Sequence, residues 1–139
     1  MLLTTKGRYG LRAVYEIAAS GNTPISLKTI ANAQGISERY LEILMAVLKK
    51  HNIVNSARGA SGGYTLARSP ENITVGDVLR ALEGPMAPAE CVLPTRKSSD
   101  FDCIMSCSVH GVFKKLYKNI NAALDSITIQ DMLDEYKKD

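Results

Sequence analysis

Three cysteines and a histidine lie within twenty residues of one another in the second half of the chain: Cys91, Cys103, Cys107 and His110. Thiolates and imidazoles are soft or borderline ligands that suit zinc and iron–sulfur clusters. Three Cys and one His make a structural zinc set, and His also replaces Cys on the iron of some clusters. The spacing matches neither a zinc ribbon nor a ferredoxin run, so a metal site and unliganded loop thiols both remain open.

A loop and a helix must bring these side chains together. Residues 84–106 contain three Pro and no periodicity, and such long loops are usually functional or disordered. A long helix is predicted from about Ser106 to Leu124. On a helix, Cys107 and His110 are three residues apart and share a face, with Cys103 one turn earlier and Cys91 reaching in from the loop. A catalytic Cys–His pair lacks an orienting third group, so we do not expect an enzyme.

Two short helices joined by a tight turn are predicted earlier in the chain. The first runs from Leu27 to about Ala33, with Ser26 as its N-cap. Gly35 supplies left-handed geometry at the turn, and Ser37 begins the second helix. This is the pattern of a helix-turn-helix, whose second helix meets base edges in the major groove. The outward residues at the start of that helix are Ser37, Glu38, Arg39 and Glu42.

A glycine-rich hairpin follows the two helices. The predicted strands are Ile53–Ser56 and Tyr64–Leu66, joined by a loop with Arg58 near its tip. A loop of this kind lets a guanidinium approach a DNA groove or a phosphate. The alternative is a plain hairpin on a small domain. The predicted fold class is therefore mainly α with a small β-wing, a winged helix-turn-helix followed by a long C-terminal helix.

Positive charge is concentrated in the same half of the chain. Residues 1–68 hold nine Lys or Arg against three Glu, whereas residues 69–139 hold eight basic and eleven acidic residues. Thr4 or Thr5 is expected to cap a helix that continues to about Ser20. Lys6 and Arg8 lie near its start, where cations oppose the helix dipole. A phosphate backbone is their natural partner, and solubility is the alternative.

The remaining elements suggest an appendage used for pairing. Thr74 is expected to cap a short helix from Val75 to Leu82, and Thr128 one from Ile129 to Tyr136. The long helix between them carries an apolar stripe, which indicates dimerisation or packing on its own domain. Its members are Val109, Val112, Phe113, Leu116, Tyr117, Ile120 and Leu124. The predicted divisions are residues 1–83 for DNA binding, 84–106 for the cysteine loop and 107–139 for dimerisation.

The compartment follows from what the sequence lacks. The N-terminus has no sustained apolar region of a signal peptide, and no run approaches the ~20 apolar residues of a membrane span. We therefore expect a cytoplasmic protein with no membrane partner. An odd number of cysteines in a reducing compartment argues against a disulfide framework.

Several segments, taken together, resemble the Rrf2 family of bacterial winged-helix regulators: TTKGRYGLRAV, SERYLE, ARGASGGYTLA and ITVGDVLRALEG, followed by the three cysteines. The resemblance implies a homodimer with crossed C-terminal helices on a partly palindromic operator. In the cluster-binding branch, three Cys hold a 2Fe–2S or 4Fe–4S cluster, here 2Fe–2S for preference. By resemblance Cys91, Cys103 and Cys107 are the thiolates and His110 the fourth ligand. The implied DNA contacts are Arg39, Glu42, Arg58, Gly59 and Ser61.

Two functional hypotheses follow. In the first, a repressor's operator affinity is set by the cluster, which senses iron–sulfur, redox or nitric-oxide status. In the second, a winged-helix regulator of cysteine or sulfur metabolism holds structural zinc or no metal and is switched by thiol oxidation or a regulatory protein partner. Metal content separates them.

Overall fold

The computed structural model describes residues 3–59, 62–93 and 106–138. Mainly helical structure with one antiparallel pair of strands confirms the predicted fold class. Two 3₁₀ turns, Pro70–Asn72 and Glu90–Val92, join the longer elements. Those elements are α1 (Thr5–Ala19), α2 (Leu27–Gln34), α3 (Glu38–Lys50), β1 (Val54–Ala57), β2 (Gly63–Leu66), α4 (Val75–Glu83), α5 (His110–Asp125) and α6 (Ile129–Lys138).

The helix-turn-helix forms as its capping residues predict. The Ser26 hydroxyl accepts from the Thr29 amide at 3.1 Å, and the Ser37 hydroxyl accepts from the Tyr40 amide at 3.2 Å. Between them Gly35 has φ 64°, the left-handed conformation that glycine adopts without strain. Ile36 is buried in the angle between the helices. Local hydrogen bonds therefore fix where α2 ends and α3 begins.

The wing differs from its prediction by one residue in each strand. Val54 pairs with Leu66 and Ala57 with Gly63, whereas Ile53–Ser56 and Tyr64–Leu66 were the predicted strands. Ile53 is buried just outside the ladder, where its carbonyl accepts from the Ala67 amide at 2.9 Å. The predicted contact residue Ser61 lies outside the described residues.

Helix α1 packs closely on α4 at Gly7 and Gly10, which have no side chains. A Cβ atom at Gly7 would lie 2.8 Å from Glu83 Oε1, and one at Gly10 would overlap Leu82. Thr4 occupies the N-cap position of α1, but its hydroxyl does not cap the helix. Its hydroxyl and its amide both donate to Glu83 instead. The cap predicted for Thr4 is therefore wrong, since its hydroxyl faces Glu83, 79 residues away, and makes no bond to an α1 amide.

Reciprocal capping boxes begin α4 and α6, as Thr74 and Thr128 predicted. The Thr74 hydroxyl accepts from the Asp77 amide at 2.9 Å, and the Asp77 carboxylate accepts from the Thr74 amide at 3.0 Å. Thr128 and Asp131 exchange the same pair of bonds at 3.1 and 2.9 Å. Such boxes satisfy two amides that a helix start otherwise leaves unpaired.

The long helix α5 begins at His110, four residues later than predicted. Val109 is its N-cap residue, with φ −112° and ψ 2°, and the Phe113 amide donates to the Val109 carbonyl at 3.1 Å. Cys107 is in neither a helix nor a strand, and Ser108 and Val109 form a turn just before the helix. Cys107 and His110 therefore do not share a helix face, and that part of the prediction is wrong.

The main core lies among α1, α2, α3, α4, β1 and α6. Ile17, Ile30, Leu41, Met45 and Ile129 are fully buried there. Helix α5 has no buried residue. Its stripe residues Val109, Val112 and Leu116 are 44, 57 and 43% exposed. The later stripe residues Ile120 and Leu124 are half-buried against the cluster of Val75, Leu79 and Met86, so only the first part of the stripe remains open in the single chain. Over the described part of the chain, no helix combines the length and apolar character needed to cross a bilayer.

Candidate nucleic-acid interface and cysteine site

One side of α3 is free of the core and carries the residues predicted to face DNA. Glu38, Arg39 and Glu42 are exposed, while Leu41, Leu44 and other apolar residues turn inward. Ser37 is also exposed, but its hydroxyl is engaged in capping α3. The structure therefore presents three of the four predicted side chains, with Ser37 as the residue that orients the first turn.

The wing is joined to α3 by two contacts that the sequence did not reveal. Lys49 Nζ donates to Ser56 Oγ at 2.7 Å, linking the end of α3 to β1. Burial raises the pKa of the Tyr64 phenol, and the negative charge of Glu42 on α3 raises it further. Arg58 and Gly59 are exposed, and Gly59 has φ 105°. The wing and α3 therefore form one surface.

The start of α1 adjoins the same surface. The Tyr9 and Tyr40 rings meet edge to face at 6.1 Å between centroids, and the Arg12 guanidinium lies 5.4 Å above the Tyr9 ring. Lys6 and Arg8, in the preceding turn, are both exposed. The sequence did not predict this aromatic contact between α1 and α3, because each tyrosine fits the apolar stripe of its own helix.

Two of the four predicted metal ligands come together. Cys91 lies in the 3₁₀ turn Glu90–Val92, and its Sγ is 3.3 Å from Nδ1 of His110, the first residue of α5. Both side chains are half-buried, as is Cys107. Within residues 3–59, 62–93 and 106–138, no three His, Cys, Asp or Glu side chains form a group able to hold a metal ion. Cys103 lies outside these ranges.

Polar contacts of α5 tie the segment before Cys91 to α4. Asn121 Nδ2 donates to the Met86 carbonyl at 3.0 Å, and its Oδ1 accepts from Arg80 Nη1 at 2.9 Å. Arg80 also donates to Asp125 and lies 3.7 Å from Asp77 Oδ1. Arg80 and Asn121 thus connect the helix that carries His110 to the helix that packs on α1.

The two helices α2 and α3 with the β1–β2 hairpin define a winged-helix DNA-binding regulator. The sequence model of the Rrf2 family, described as an iron-dependent transcriptional regulator, matches residues 3–135, and the chain belongs to this family. Its relatives are transcriptional regulators, which confirms the prediction that the chain is not an enzyme.

Relatives of two kinds are similar to the chain over nearly its whole length. The transcriptional regulator CymR of Bacillus subtilis is 39% identical over 133 residues, covering 95% of this chain and 89% of CymR. The regulator IscR of Sodalis glossinidius is 38% identical over 136 residues, covering 96% of this chain and 79% of IscR. The solved structure of T. potens IscR matches with a TM-score of 0.74 and 44% identity, over 98% of this chain and 88% of that one.

Proposed function

We propose that the chain is a homodimeric repressor whose operator affinity is set by an iron–sulfur cluster, for preference 2Fe–2S. Cys91, Cys103 and Cys107 are the proposed thiolate ligands and His110 the fourth ligand. The observation that carries the proposal is the contact between Cys91 Sγ and His110 Nδ1, two residues 19 apart in sequence.

The chemistry and spacing of this pair fit a shared metal. A thiolate about 2.3 Å and an imidazole nitrogen about 2.0 Å from a tetrahedral ion lie about 3.5 Å apart. The observed separation is 3.3 Å. Sulfur and nitrogen donors are those that iron–sulfur clusters and zinc accept. Held there by Cys91 and His110, a cluster would supply redox and ligand-exchange chemistry next to the first residue of α5.

DNA binding is assigned to the continuous surface of α3, the wing and the start of α1. Glu42 is suited to accept from the amino group of cytosine, and Arg39 to donate to guanine. Arg58 and Gly59 from the wing, with Lys6 and Arg8 from α1, are suited to contact phosphates. One such module reads few base pairs, so two are expected to act together on a palindromic operator.

The second module comes from a second copy of the chain. The exposed stripe of Val109, Val112 and Leu116 on α5 is an apolar surface that pairing of two α5 helices covers. His110 begins the same helix. The proposed ligand and the proposed dimer surface therefore move together.

Coupling between the two ends runs through described contacts. Asn121 and Arg80 join α5 and Met86 to α4. Helix α4 holds the start of α1 through Glu83 and Thr4. A change in how Cys91 and His110 are held therefore biases the pose of α5 against the winged domain, which is a population shift between two dimer arrangements.

The test is the metal content of the protein purified anaerobically. We expect iron and acid-labile sulfide in stoichiometric amounts, and light scattering that reports twice the mass of one chain. Zinc alone, or no metal after attempted cluster reconstitution, contradicts the cluster. A single-chain mass contradicts the dimer.

A second candidate is a regulator with structural zinc or no metal, switched by thiol oxidation or by a partner protein. The similarity to CymR, a relative at 39% identity, favours it. Zinc and thiol assays on the same preparation separate its forms.

For DNA binding, we expect Arg58→Ala to weaken binding to a duplex that the wild-type protein selects from a random library. Loss of a base contact costs about 1–3 kcal/mol, and loss of a phosphate contact lowers the slope of log K against log salt by about one. Fluorescence anisotropy over a salt series measures both. Lys118→Ala is the matched control, because Lys118 is an exposed cation on α5, opposite the apolar stripe. If the Arg58 variant and the wild type bind equally well, the wing does not contribute to the DNA interface.

A further inference from the structure

One large apolar side chain on the winged domain is exposed. Ile43 of α3 has 55% of its surface exposed, and among the described residues up to 93 no other large apolar residue is exposed to this degree. It belongs to neither of the apolar clusters that the described residues form. Single exposed apolar residues are common on proteins, so the position of Ile43 decides its meaning.

Ile43 lies on the outward face of the recognition helix. At 3.6 residues per turn, Arg39, Ile43, Ala46 and Lys50 follow one another along one face, and all four are exposed. The wing lies along one border of this face, where Lys49 of α3 donates to Ser56 of β1. Ile43 therefore stands between cations and away from the wing, toward the side where Tyr40 meets Tyr9 of α1.

The side chains around Ile43 indicate that DNA is the partner that covers it. The flanking cations Arg39 and Lys50 complement phosphates. Both belong to residues 1–68, the basic half of the chain. A side chain without hydrogen-bonding groups cannot read the donors and acceptors of a base edge. The one apolar group that bases present in the major groove is the 5-methyl group of thymine.

We propose that Ile43 is a specificity-determining residue that contacts the 5-methyl group of a thymine in each half-site. The inference rests on the proposed role of α3 as the recognition helix. It adds an apolar determinant to the polar reading by Arg39 and Glu42. It also predicts that the operator contains a thymine whose methyl group, and not only its base pairing, contributes to affinity.

The experiment replaces each thymine of a selected duplex by deoxyuridine, one position at a time. Deoxyuridine keeps the base pair and removes only the methyl group. The duplex is one that the wild-type dimer selects from a random-sequence library. We expect one position in each half-site to weaken wild-type binding about four-fold, the effect of exposing one methyl group. In Ile43→Ala the same replacement should have no effect.

Ile127→Ala is the matched control, since Ile127 is an exposed isoleucine outside α3. That variant should keep both wild-type affinity and the deoxyuridine effect. The inference is overturned if no thymine is sensitive, or if Ile43→Ala retains the sensitivity. If the wild-type dimer selects no duplex, the DNA-binding proposal fails and this inference fails with it. Because Ile43 is exposed, its truncation should leave the melting temperature unchanged.

Discussion

The Cys91→Ala variant, purified without oxygen, should contain almost no iron or sulfide and should lose the visible absorption expected at about 400–460 nm for a cysteine-held cluster. The structural reason is that Cys91 is the side chain that meets His110, at 3.3 Å, and no other described thiol does so. Without its sulfur, the thiolate that faces the imidazole is lost and the proposed set of four ligands falls to three. Iron and sulfide assays with a visible spectrum measure the effect.

His51→Ala is the control for this prediction. His51 is the only other histidine of the chain. It lies at the end of α3, where its Nδ1 is 3.0 Å from the Val47 carbonyl. Its removal should leave iron content unchanged. Cys91 is half-buried in a short 3₁₀ turn, so the far-ultraviolet circular dichroism of its variant should match wild type. A Cys91→Ala protein that keeps its full iron content contradicts the ligand assignment.

Gly76→Ala should lower the free energy of unfolding by about 1–3 kcal/mol, the usual cost of overpacking. A Cβ atom at Gly76 would overlap Asp125 Oδ1 and lie 2.8 Å from Arg80 Nη2. Both partners belong to the network that joins α4 to α5, so moving them aside weakens that network. The melting temperature should fall by several degrees, measured by calorimetry at one protein concentration because dimerisation shifts it.

Gly111→Ala is a closely matched comparison. Gly111 is the second residue of α5, as Gly76 is of α4, but nothing lies within 4 Å of a Cβ atom built on it. Alanine exceeds glycine in helix propensity by up to about 1 kcal/mol, so this variant should be as stable as wild type or more so. Equal destabilisation of the two variants would mean that the contact with Asp125 has no energetic weight.

Those parts of the fold that depend on neighbours in sequence could be predicted. Ser26, Ser37, Thr74 and Thr128 each accept from an amide three residues ahead, and these caps fix where four helices begin. The Thr4 hydroxyl does not cap its helix in this way, because its partner, Glu83, is distant in sequence. A sequence pattern contains no information about a carboxylate brought in by α4 from 79 residues away.

The candidate site was predictable in composition and not in geometry. The residue types identified Cys91 and His110 as potential ligands, but the helical argument joined His110 to Cys107. The structure joins it to Cys91, because α5 begins only at His110. On α3, the exposure of Ile43 was not among the sequence predictions. Its significance depended on burial, since only the folded chain shows that no apolar cluster of the described residues includes it. The assigned DNA contacts stay predictions until binding is measured.

The pairing of Ile25 with the wing has a consequence for how copies of the chain avoid one another. A two-stranded hairpin normally offers two open edges, and each is a template on which another chain can add a strand and begin to aggregate. Here the Ile25 amide donates to the Tyr64 carbonyl at 3.1 Å and the Tyr64 amide donates to the Ile25 carbonyl at 2.8 Å. The edge of β2 is thereby occupied at Tyr64 by the chain itself. The edge of β1 remains, only four residues long and ending in Asn55, Ser56 and Ala57, all exposed. Other chains pair poorly with so short and polar an edge. The hairpin can therefore extend into solvent without promoting aggregation.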